Sequence, residues 1–88
     1  MKIRIEEKEF ETREMTQLYP AAIVKTGYED ETTQVSLEWL DVEGKEKVEI
    51  VGYGIFVYIG ENEKHSFIYE TREEMDRLAA SIAAQLKG

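Results

Sequence analysis

The chain has 88 residues, 42% hydrophobic and 34% charged, with no cysteine and a net charge of −8. That length holds one small domain with a modest core, and the composition is too apolar for a disordered tail. It excludes disulfide scaffolds, thiolate zinc sites and thiol catalysis, and it disfavours nucleic acid and anionic membrane surfaces as partners.

Ile3 and Ile5 alternate with Lys2 and Arg4, which predicts a strand over 2–6 and speaks against a signal peptide. A turn at Glu6-Glu7-Lys8 returns the chain as a strand over 9–12 carrying Phe10. Residues 12–18 fit either state. Thr12-Arg13-Glu14-Met15 can open a helical turn with Met15 and Leu18 on one side, but Pro20 restricts Tyr19 and keeps any helix to a turn or two. A strand is expected over 20–28.

Glu29-Asp30-Glu31 is a polar turn. Val35, Leu37 and Trp39 alternate with Ser36 and Glu38, the clearest period-two pattern in the chain, and predict a strand over 32–41. Glu43-Gly44-Lys45 turns into a strand over 46–52, where Val48 and Ile50 share a face. The stretch 53–59 is apolar on both faces. Such a strand is covered on both sides or presents an aromatic surface. Gly52 and Gly54 mark a bulge or bend that curves the sheet. The apolar run from Ile50 to Ile59 is far too short for a membrane helix. Beyond a turn at 60–63, a last strand is expected over 64–70.

A helix over 72–86 closes the chain. Thr71 and Glu74 have the spacing of a capping box, with acids in the first turn and Lys87 in the last. Met75, Leu78, Ala79, Ile82, Ala83 and Leu86 recur at three-and-four spacing, an apolar stripe for the sheet. Glu73 and Arg77 are placed for an ion pair. The run Phe10-Glu11-Thr12-Arg13-Glu14-Met15 echoes Tyr69-Glu70-Thr71-Arg72-Glu73-Glu74-Met75. A duplicated strand-to-helix unit would explain the echo, and so would one common cap arising twice.

The excess acid is concentrated. Residues 29–49 hold eight acids against Lys45 and Lys47, so this charge is expected at one end or face of the sheet. The plain reading of −8 is solubility; the sharper one is a surface for a basic partner. The acids at 29–31 and 41–43 lack the spacing of a calcium loop and read as solvated turns. His65, the only histidine, reads as an exposed side chain beside a turn. No phosphate loop, nucleophile elbow or zinc-binding His-Glu-x-x-His motif occurs, so no catalytic, cofactor-binding or metal-binding residue is assigned.

The expected fold is α+β: a single curved antiparallel meander of five to seven strands with the C-terminal amphipathic helix packed on it. Seven strands closed by one helix would resemble the pleckstrin-homology superfold in architecture alone, as a PH-like barrel. That likeness implies a peptide or protein ligand, because the basic lipid-headgroup pocket is not evident.

Function is carried by the aromatics. One helix covers one face of a single-layer sheet, so Phe56 and Tyr58 are expected to form an exposed apolar patch, with Trp39 as a third candidate partner residue. The reading is a non-catalytic, cytoplasmic interaction module that forms a homodimer or docks on a protein partner, without nucleic acid, membrane or cofactor. The alternative is a small ligand-binding domain or enzyme with a pocket between helix and sheet.

Overall fold

A computed structural model describes residues 1–44 and 48–87. It is α+β, with six antiparallel strands in two sheets and a C-terminal helix packed on the sheet. Strands β1 (Lys2–Ile5) and β2 (Lys8–Glu11) form a hairpin whose two-residue turn puts Glu6 at φ 55°. A single 3₁₀ turn (Thr12–Glu14) leads into the long β3 (Met15–Lys25). Short β4 (Thr32–Val35) returns along it. Helical turn α1 (Leu37–Trp39) widens into a π turn over Leu40–Gly44. Then come β5 (Ile50–Ile59), β6 (Glu63–Tyr69) and α2 (Arg72–Lys87).

The larger sheet has the order β4-β3-β5-β6. It is not a simple meander, because β5 pairs with β3 rather than with β4. The reason is length. Four-residue β4 occupies only the Ala22–Lys25 half of β3, whereas β3 offers β5 a full-length edge. Nor is there a closed barrel among the described residues: a four-stranded sheet is too narrow to close, and stretches expected to add strands do not. The expected strand over 32–41 ends at Val35. Ser36 caps a helical turn instead, its Oγ accepting the Trp39 N–H at 3.1 Å, and Leu40 becomes fully buried. The strands expected over 46–52 and 53–59 are one strand from Ile50. Residues 46 and 47 lie outside the described residues, and Gly52 follows a bulge, where the register slips between Ile23 and Val24, rather than a break. The strand expected over 20–28 starts at Met15 and stops at Lys25, since Gly27 at φ 90° turns the chain. The remaining boundaries agree within a residue.

Two clusters fill one side of the sheet. The larger joins Ile3, Ile5 and Phe10 of the hairpin, Ile55, Val57 and Phe67 of the sheet, and Met75 and Ile82 of α2. The smaller sets Leu40 on Ala22 and Val24. Leu37 and Tyr53 touch both. The α2 stripe is only partly used: Met75 and Ile82 are buried, Leu78 and Ala79 half-buried, and Leu86 remains 45% exposed. At its start, Thr71 Oγ1 accepts the Glu74 N–H at 3.2 Å, while the Glu74 carboxylate accepts the Thr71 hydroxyl rather than a backbone amide. Near its end, the Gln85 side-chain amide accepts from Arg4 N–H at 2.6 Å and donates to Arg4 C=O at 2.7 Å. This pairing stands in for a neighbouring strand on the outer edge of β1. No helix is long and apolar enough to cross a membrane among the described residues.

Candidate functional site on the open side of the sheet

Alternation along the strands decides what each side carries. Leu18, Ala22, Val24, Ile55, Val57 and Phe67 face the cores. The register places Tyr19, Ile23, Phe56, Tyr58, Lys64 and Ile68 on the opposite side. None of the described helices or the β1–β2 hairpin contributes to the residues packed there.

Three rings form a ladder across β3 and β5. Tyr19 lies between Phe56 (centroids 5.5 Å apart, planes at 26°) and Tyr58 (6.0 Å, 17°). Lys64 crosses from β6 to lie over the Phe56 and Tyr58 rings at 5.6 and 5.7 Å. The polar tips form a chain: Tyr19 Oη donates to Gln34 Oε1 at 2.9 Å and lies 3.4 Å from Tyr58 Oη. Hydrogen bonding between the two hydroxyls raises the Tyr19 pKa and lowers that of Tyr58, and the Lys64 charge lowers Tyr58 further.

Gly54 makes the ladder lie flat. A Cβ there would meet Ile68 Cδ1 at 2.8 Å and the Phe56 ring at 3.1 Å, so the Phe56 ring occupies the space above Gly54. Phe56 is therefore buried at 2% exposure, contrary to the expected exposed patch, while Tyr58 is half-buried. Beside them is a shallow depression of about 470 Å³ lined by Ile23, Thr32, Thr33, Gln34 and Phe56. Charge sets this side apart. Its strand positions include Lys25 and Lys64 but no Asp or Glu, in a chain with 19 acids. Lys25 is engaged by Glu49 at 2.9 Å.

Trp39 does not join this surface. It packs on the core side with the smaller cluster, its ring against Gly44, where a Cβ would overlap the indole. Residues missed from sequence are Tyr19 and Lys64. Tyr19 shares a face with Gln17, Ala21 and Ile23 once residues 15–25 are read as one strand. Lys64 stands opposite Tyr58 across the Gly60 turn, a pairing that hairpin geometry fixes.

His65 is half-buried rather than exposed. It meets the edge of Phe10 at 5.0 Å, and Glu63 holds its Nε2 at 2.5 Å. The adjoining depression of about 340 Å³ is lined by Glu9, Glu11 and Glu14 but by no Ser, Thr or Cys that could serve as nucleophile. Among the described acids of the central segment, Glu29, Asp30 and Glu31 follow β3 and Glu49 precedes β5, at one end of the sheet. There Asp41 binds Arg72 through both oxygens at 2.6 and 3.0 Å, tying the π turn to α2. Among the described residues no group of three or more His, Asp or Glu converges for a metal ion.

Between α2 and the exposed half of β3 runs an apolar groove of about 230 Å³, lined by Leu18, Pro20, Ile55, Ile82, Ala83 and Leu86 among others. No family model, curated protein or solved structure matches the chain.

Proposed function

We propose that this protein is a small non-catalytic interaction module, cytoplasmic in setting, whose contact surface is the open side of the sheet around Tyr19 and Tyr58. The observation that supports this is an aromatic sheet face whose described strand positions carry no Asp or Glu, on a chain of net charge −8. Flat aromatic area with hydroxyl and amide tips gives contact at low side-chain entropy cost. Nucleic acid and membranes are not proposed as partners, because the overall charge repels both.

The test is capture from the host lysate with the wild type, Tyr58→Glu and Ser81→Glu. Ser81 is exposed on α2 and its substitution adds the same charge away from the open side. Protein retained by the wild type and by Ser81→Glu but lost with Tyr58→Glu supports the reading. Equal capture by all three, or none by any from a chain that also stays monomeric at ~100 μM, contradicts it.

The groove beside α2 favours a second reading, a small apolar ligand held between helix and sheet. At about 230 Å³ it falls below the ~300 Å³ lower end of ligand pockets, and its lining supplies little to orient a ligand, which ranks it second.

A further inference from the structure

We infer that the occupant of the open side is a second copy of this chain, seated face to face about a twofold axis. The inference rests on the reading above and names the partner that reading leaves open. Two molecules of net charge −8 repel across most of their surfaces. The open side is where they meet without placing strand carboxylates against each other, because its strand positions hold none.

Other partners fit less well. A basic partner would find lysines there and no strand acid. An acidic partner would find Lys64 alone, since Lys25 is already paired with Glu49. A copy brings matching chemistry: the same rings to stack, and in Gln17, Thr32, Gln34 and Ser66 both donors and acceptors for its own polar tips.

The area is sufficient for a modest dimer. Four strands at ~4.8 Å spacing and about seven residues at ~3.3 Å give a footprint of roughly 450 Å² on each copy. Counted over both, this lies just under the ~1,000 Å² floor of specific interfaces, which places the dimer among the weak ones. In twofold pairing each substitution enters the interface twice. Tyr58→Glu therefore places one new carboxylate on each copy in the same interface and should weaken association by about 100-fold or more.

The experiment is sedimentation of the full chain at up to ~100 μM, between about 20 mM and about 0.5 M salt. The wild type is expected at twice 10.2 kDa, and its association should tighten as salt screens the repulsion. Tyr58→Glu should return the mass to one copy, and Ser81→Glu should not. Circular dichroism checks that α2 persists. Gln17→Glu, a near-isosteric change at an exposed position of the same side, repeats the test if Tyr58→Glu fails to fold. A monomeric wild type at ~100 μM overturns the inference and leaves the interaction reading to the capture experiment. A dimer unmoved by both open-side substitutions, broken by Ser81→Glu, or weakened by salt also overturns it.

Discussion

Ile82→Ala probes the placement of α2 most sharply. Ile82 is 4% exposed and belongs to the cluster that joins helix, hairpin and sheet. The substitution removes three carbons, worth ~2.4 kcal/mol at about 0.8 kcal/mol each. A cavity contribution adds to this. Here that contribution is partly relieved, because Ile82 also lines the open groove beside β3, where neighbours can settle inward. The expected loss is therefore about 2.5–3.5 kcal/mol, a large share of the ~5 kcal/mol margin of so short a chain. Half-buried Leu78 should lose less, about 1–2 kcal/mol on truncation. Urea denaturation measures both, with far-ultraviolet circular dichroism reporting α2 and Trp39 fluorescence reporting the smaller cluster. The two probes should shift together, since Leu37 and Tyr53 bridge the clusters. A loss below about 0.5 kcal/mol at both positions would refute the packing of α2 on the sheet.

Gly44→Ala should cost about 1–3 kcal/mol and shift the Trp39 emission to the red, because the new Cβ displaces the indole; an unchanged spectrum contradicts that contact. Thr71→Ala removes the acceptor of the Glu74 amide and should cost about 1 kcal/mol in denaturation experiments. Burial, followed by the Glu6 carboxylate that accepts its hydroxyl, pushes Tyr69 from the ordinary 10.0 up to about 12. The raised folded pKa means that this stabilisation is complete below the unfolded value near 10 and is lost as pH rises toward 12. Absorbance titration should lose its latest phenol in Tyr69→Phe; a late phase unchanged by that substitution would contradict it.

Much of the fold was legible because local signals agreed with the tertiary outcome. Thr71, the acids behind it and the Leu/Ala-rich run beyond all favour helix, and α2 forms over the expected span. The echo at Thr12 carries the same opening, yet it ends after one 3₁₀ turn because Thr16, Tyr19 and Pro20 follow and favour extended chain. The alternation at 35–39 misled because Ser36 offers a cap, and Leu37 and Leu40 share a helical side as readily as Val35 and Leu37 share a strand face. The candidate surface was half legible. Alternation placed Phe56 and Tyr58 on one side, but the burial of Phe56 depends on Tyr19 and Lys64 arriving from other strands. The departure of Trp39 follows from the helical turn. The Tyr19 pairing is not local in the sequence, whereas Lys64 arrives across the Gly60 hairpin.

Chemical-shift mapping of ¹⁵N-labelled protein on dilution, from about 500 μM to about 10 μM, tests face-to-face pairing through the open side of the sheet, since that range brackets micromolar association. Concentration-dependent shifts are expected at Tyr19, Tyr58, Lys64, Ser66 and Ile68, with α2 unmoved. Shifts centred instead on Ala83 and Leu86, or spectra that do not change, would contradict it.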